Sequence, residues 1–101
     1  MFYIYIIYSP AADKYYVGYS SDPQRRLIEH NTKLFNTYTS KHRPWILKVW
    51  FECSESEQEA ILIERFIKKQ KSRKLIEQLC DHTFIPSGIL AQLVRVPHLR
   101  D

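Results

Sequence analysis

No apolar run in this sequence is long enough to cross a membrane. The longest early stretch, residues 2–8, is too short for a spanning helix and also for the apolar segment of a secretion signal, and no basic flank precedes it. Nothing in the sequence therefore points to a membrane, and a cytoplasmic location is expected. Cysteine is almost absent. Cys53 and Cys80 are the only two, and they form no CxxC pair. That argues against a thiolate metal site and against a disulfide-built secreted scaffold, so both thiols are expected reduced and inward-facing. Glycine is equally scarce, with Gly18 and Gly88 alone, so each needs a reason. There is no internal repeat, low-complexity tract or linker, and no appended zinc finger or recognition helix for reading bases.

The composition fits a globular chain. Charged residues are 26% and aromatics 14% of 101 residues, enough for one domain that buries roughly 65% of its unfolded surface. The net charge of +4 and pI near 9.1 favour an acidic partner, nucleic acid before an anionic membrane surface.

Periodicity divides the chain. Residues 3–8 are β-branched and aromatic and read as a strand, followed by a turn at 9–13 and a second strand at 14–19, together an antiparallel hairpin. Ser21 or Asp22 can cap a helix that Pro23 opens and that ends near Asn31. A polar loop at 32–44 leads to a third strand at 45–51. Ser54 or Ser56 then caps a long helix at 57–70, and Ser72 a shorter one at 73–79. The apolar stretch 89–94, between Gly88 and Pro97, is expected to form a short helix. The order ββαβαα predicts an α+β domain, a small three-stranded antiparallel sheet flanked by helices, over residues 1–81. Residues 82–101 are expected to be a tail that packs on the domain or joins two chains in a weak homodimer.

Several side chains stand out chemically. Tyr5 and Tyr16 can lie on one face of the hairpin, with Gly18 beside them leaving space for a ligand to approach. Tyrosines are also ordinary on half-buried strands, and a glycine can mark a bulge. Arg26 and His30, four apart, point the same way from their helix. Arginine suits phosphate through its planar, permanently charged fork, and histidine can orient water or protonate a leaving oxygen. Glu64 falls inside the apolar sector of its helix, where an ionised carboxylate requires a partner. The commoner partner is an arginine. The other is a cation, for which oxygen ligation favours Mg²⁺ or Mn²⁺ over zinc. Basic residues gather at Lys68, Lys69, Lys71, Arg73 and Lys74, with a looser patch at Lys41 and Arg43 beside Tyr38 and Trp45; Lys14 adds a charge on the hairpin. Basic residues interleaved with aromatics suit a phosphate backbone carrying stacked bases, although a solvated helix end has the same composition.

Taken in order, Tyr3-Ile4-Tyr5, Tyr16-Val17-Gly18, Arg26, His30, Tyr38-Thr39, Arg43-Pro44-Trp45 and Glu64 resemble the GIY-YIG nuclease superfamily, and its small stand-alone bacterial members in particular. The resemblance covers residues 2–79. Superfamily relatives include the incision subunit of nucleotide-excision repair, phage homing endonucleases and some restriction enzymes. It implies a divalent-metal-dependent endonuclease that hydrolyses phosphodiester bonds, in DNA rather than RNA, selecting substrate structure rather than sequence, with a role in DNA repair. It also implies one cleft in which Glu64 holds Mg²⁺ or Mn²⁺ and Arg26 offsets phosphate charge. Tyr5 would deprotonate water there, with a pKa lowered by its surroundings, while Tyr16 and His30 place water and phosphate. Lys14, Gly18, Lys41, Arg43, Lys68, Lys69, Lys71, Arg73 and Lys74 would contact the nucleic acid. The chain departs from the pattern in having Tyr3 for the first glycine and no asparagine after Asn36, where many members carry a late one near the site. The other reading is a module of the same fold that binds nucleic acid without cutting it.

Overall fold

The computed structural model describes residues 1–33 and 38–97; Asn36 and the last four residues of the expected tail lie outside it. Strand β1 (Phe2–Ser9) turns back into β2 (Lys14–Ser20), and helix α1 (Pro23–Thr32) follows. A 3-10 turn (Thr39–Lys41) sits within the expected loop, ahead of β3 (Ile46–Ser54). Helices α2 (Glu57–Lys69) and α3 (Arg73–Cys80) come next. A second 3-10 turn (Gly88–Leu90) and the two-residue strand β4 (Val94–Arg95) complete the described chain.

Local chemistry sets the boundaries. The hairpin closes where the Asp13 amide donates to the Ser9 carbonyl at 2.7 Å and the Tyr8 hydroxyl donates to the Asp13 carboxylate at 2.7 Å. Asp13 adopts φ +54, a conformation that short polar side chains tolerate. Of the alternative caps, Asp22 accepts the Arg25 amide and Ser56 the Glu59 amide, while Ser72 accepts the Leu75 amide.

The sheet is antiparallel, but it has four strands in the order β2-β1-β3-β4 rather than the expected three. The addition is β4, which pairs Arg95 with Phe51 and Val94 with Glu52. The expected helix at 89–94 does not form. Gly88 takes φ +63, and Leu90 and Leu93 both turn inward to join the main core. That leaves one 3-10 turn and frees Val94 for the sheet edge. The sheet has a covered face on each side. Ile4, Ile6, Val17, Val49 and Phe51 pack against Ala60, Ile63 and Ile67 of α2 and Leu79 of α3. On the other side Tyr5, Ile7 and Trp45 form a second cluster with Tyr16, Leu27 and Trp50. A register shift between Ile6 and Ile7 lets β3 serve both, sending Val49 to the first cluster and Leu47 to the second. No helix among the described residues is long and apolar enough to cross a membrane.

Tyr5 pairs with Gly18 across the hairpin. The space over Gly18 is therefore not left for a ligand: a Cβ added there would stand 2.4 Å from the Tyr5 hydroxyl oxygen. Gly18 is buried beneath that ring. We predict that Gly18→Ala pushes the Tyr5 ring out of its seat and lowers stability by about 1–3 kcal/mol in urea unfolding. An unchanged midpoint would mean that the ring does not need this space.

Candidate active site

β1 carries Tyr5 into the floor of a cleft beneath α1. The phenol is almost wholly buried, and its oxygen lies 2.8 Å from His30 Nε2, while His30 Nδ1 lies 2.9 Å from the Thr39 hydroxyl. His30 is buried as well. Burial, then the cations Arg26, Arg43 and Lys68, hold its pKa at about 4, down from the ordinary 6.5. It is thus neutral near pH 7, with one donor and one acceptor nitrogen. The Arg26 guanidinium faces the same phenol and lies against its oxygen. The assignment that satisfies all of these groups has Arg26 donating to the Tyr5 oxygen, Tyr5 donating to Nε2, and Nδ1–H donating to Thr39. Of the two roles expected for His30, the low pKa suits placing a neighbouring group or water better than protonating a leaving oxygen, because no imidazolium is present at neutral pH.

The expected lowering of the Tyr5 pKa counted on a cation as well as on Arg26 and His30, and on balance the protein's own groups act the other way. Burial pushes the phenol up to about 12, and the pull of the Arg26 charge is smaller; Tyr16 and Glu64 add to the rise. Arg26 is itself held. It donates to Glu29 at 2.6 Å, and Glu29 also receives Arg25 at 3.0 Å. Burial works against the Arg26 charge, but Glu29 and Tyr5 more than offset it and raise the pKa.

Tyr16 lies on the same sheet face, its ring edge-on to His30 at 5.2 Å and stacked on Tyr38 at 6.2 Å. Tyr16, Arg26, Glu29, His30, Tyr38, Thr39 and Arg43 enclose a cleft of about 140 Å³. Glu64 reaches this region from α2. Its side chain is 15% exposed, and Lys68, rather than an arginine, is its partner at 3.5 Å. The Glu64 charge is felt at Tyr5 on the cleft face and at Tyr19 on the opposite face, which puts it beside the edge strand β2. Lys68, one turn on, lies 4.7 Å from the centroid of the Tyr16 ring. Lys68 of α2 thus lines the groove next to the cleft, and the Glu64 charge acts on Tyr5 from the same helix.

Divalent cations can be judged against this donor set. No group of three or more His, Cys, Asp or Glu is gathered among the described residues, so a zinc-type cage is not formed there. A partly buried carboxylate with only one lysine beside it fits Mg²⁺ or Mn²⁺, which take one or two carboxylates, several waters and substrate phosphate.

The basic residues have divided duties. Lys14, Lys68, Lys71 and Arg73 line a groove of about 410 Å³ that runs on from the cleft. Arg43 lines the cleft, but its guanidinium donates to the His30 and Lys33 carbonyls and closes the end of α1. Arg73 is tied to Asp13 at 2.6 Å and to Glu77 at 3.1 Å. Lys41, Lys69 and Lys74 are exposed and line neither cavity. Three contributors were given no role of their own from the sequence. Glu29 restrains Arg26, and its three-residue spacing was the only hint of that. Thr39 holds His30 from a distant loop. Asn31 clamps Trp45 by accepting its amide at 2.7 Å and donating to its carbonyl at 3.0 Å.

Comparison with known proteins places the chain in a family. The family model described as the GIY-YIG catalytic domain matches residues 1–77. A UPF0213 protein of Haloquadratum walsbyi is 33% identical over 82 residues, covering 78% of this chain and 90% of that protein. One from Limosilactobacillus reuteri is 32% identical, covering 80% and 84%. One from Staphylococcus saprophyticus is 35% identical over 79 residues, covering 75% and 94%.

Because folding depresses the His30 pKa, the unfolded chain binds more protons than the folded one between pH 6.5 and about 4. The contribution of neutral His30 is complete above pH 6.5 and is lost as pH falls toward 4. Thermal unfolding should show Tm decreasing across that window. His30→Gln should flatten the decrease, and an equal slope in wild type and variant would contradict the assignment.

Proposed function

We propose that this chain, which belongs to the GIY-YIG family, is an endonuclease that hydrolyses phosphodiester bonds in nucleic acid with the help of Mg²⁺ or Mn²⁺. The observation that supports this reading is a cleft lined by Tyr16, Arg26 and His30, with Tyr5 hydrogen-bonded to His30 and a partly buried carboxylate on α2, Glu64, whose charge acts on Tyr5. Arg26 meets a non-bridging phosphate oxygen as charge develops there, and Glu29 keeps its fork aimed at the cleft until substrate enters. Tyr16 forms the wall against which water and phosphate are positioned. Neutral His30 accepts the Tyr5 proton in a hydrogen bond and so fixes the orientation of the phenol.

Glu64 would hold a divalent cation, which would supply positive charge beside the phosphate and offset the upward push of that carboxylate on Tyr5. Tyr5 then serves as the base for water, handing its own proton toward Nε2. The lysines of the larger groove steer the polyanion. Substrate shape is favoured over base sequence because a domain of this size offers little surface for reading bases, and DNA is the nucleic acid expected before RNA. The other reading, a binding module that does not cut, draws on the raised pKa of Tyr5.

One assay separates the two. Labelled single-stranded, duplex and branched DNA and RNA are incubated with Mg²⁺, Mn²⁺ or a chelator. Cleavage is expected only with the cation. It should fall about 10²–10³-fold in Arg26→Ala and in Glu64→Gln, the cost of removing one charge-stabilising group. Tyr5→Phe should lower it about 10²–10⁴-fold, as for loss of a general base. Retention of nucleic acid without products would leave the binder, and products that persist in the chelator or in both variants would overturn the metal-assisted reading.

A further inference from the structure

Two cavities meet on one face of the molecule, and they share two walls. The cleft under α1 and the larger groove beside it are both lined by Tyr16 and Tyr38. The groove is about 410 Å³, within the range of about 300–1,000 Å³ typical of pockets for small organic groups. Beyond the tyrosines it is bordered by Lys14, Lys68 and Lys71.

Tyr38 is unusual among the aromatics here. It is 47% exposed, yet its ring is braced on three sides. One side stacks on Tyr16 at 6.2 Å with an interplanar angle of 28°. His42 stands edge-on at 5.0 Å, and Trp45 lies at 6.3 Å. A ring fixed in place with open area left over is prepared to stack on a further planar group, at little cost in lost motion. Core packing accounts for the braced sides and not for the exposed area. The surrounding lysines make the planar group an anionic one.

We infer that the substrate carries an unpaired nucleotide beside the bond that is cut, and that Tyr38 receives its base while Lys68 and Lys71 face its phosphates. A base inside a duplex is stacked on both sides and cannot present a face to a side chain, so only an unpaired base fits the platform. The aromatic surface carries no hydrogen-bond pattern for one base over another, so the site selects strandedness rather than sequence. This rests on the nuclease reading for the position of the cut, and the binding step stands apart from it.

Binding is measured first, in chelator, by fluorescence anisotropy of labelled single strands, blunt duplexes and duplexes with a single-stranded flap. Tyr38→Ala should weaken binding to single strands and flaps about ten-fold, the effect of one lost stacking contact, and leave blunt duplex unchanged. Tyr38→Trp should restore it. Circular dichroism melting of Tyr38→Ala checks that the fold survives. The same proteins are then assayed for cleavage with Mg²⁺, where flap or single-strand products should fall in Tyr38→Ala and return in Tyr38→Trp. Equal weakening on all three ligands, or none on single strands, overturns the inference even if cleavage persists. A selective binding loss without cleavage in the wild-type protein overturns the nuclease reading and leaves the base platform standing.

Discussion

The arrangement depends on a buried hydrogen bond between a phenol and a neutral imidazole. Tyr5 belongs to the central part of the sheet and His30 to the last turn of α1, so their 2.8 Å contact joins the two elements that form the cleft. Burial makes this bond consequential. It pushes the phenol up to about 12 and the imidazole down to about 4, so each is held uncharged, and each would leave a costly unpaired polar group if the other were lost. Gly18 lets the ring lie flat against β2, and Thr39 fixes the far nitrogen. Arg26 can then stand over the phenol oxygen in a defined orientation.

The second constraint is topological. β2 lies at the sheet edge, so nothing pairs with its outer side among the described residues. Helix α2 packs its apolar row against the sheet face opposite the cleft, yet the Glu64 charge acts on Tyr5 and Lys68 lies over the Tyr16 ring. The proposed function needs a carboxylate on one layer and a guanidinium on the other to act in one small volume, and the open edge at β2 is where they can do so. β4 closes the opposite edge of the sheet, away from this chemistry.

Much of this is legible in the sequence, because the signals are local. The hairpin, the capped helices and the strand at 45–51 follow from periodicity and capping, and the structure moves their ends by only a few residues. Glu64 stands out because a carboxylate in an apolar sector violates its own helix pattern. What the sequence conceals is environmental. Tyr5 and His30 have ordinary side chains whose ionisation is set by burial, which no spacing reports. Arg43 and Arg73 look like phosphate contacts, yet they satisfy helix-end carbonyls and an aspartate, because an arginine fork serves a backbone carbonyl as readily as a phosphate. The extra strand is hidden for a related reason: Val94 and Arg95 carry little strand signal alone, and the free edge of β3 recruits them. The absence of a late asparagine is visible only as sequence.

The most direct test of the central claim asks whether a cation at Glu64 and the phenols occupy one volume. Mn²⁺ is titrated, with a phosphorothioate oligonucleotide that resists hydrolysis, into protein whose tyrosines are isotopically labelled. Paramagnetic broadening is then followed by NMR. The account predicts the strongest broadening at Tyr5 and Tyr16, weak broadening at Tyr8, and its loss in Glu64→Gln. Broadening centred near Asp13 and Glu77, or unaffected by that substitution, would contradict it.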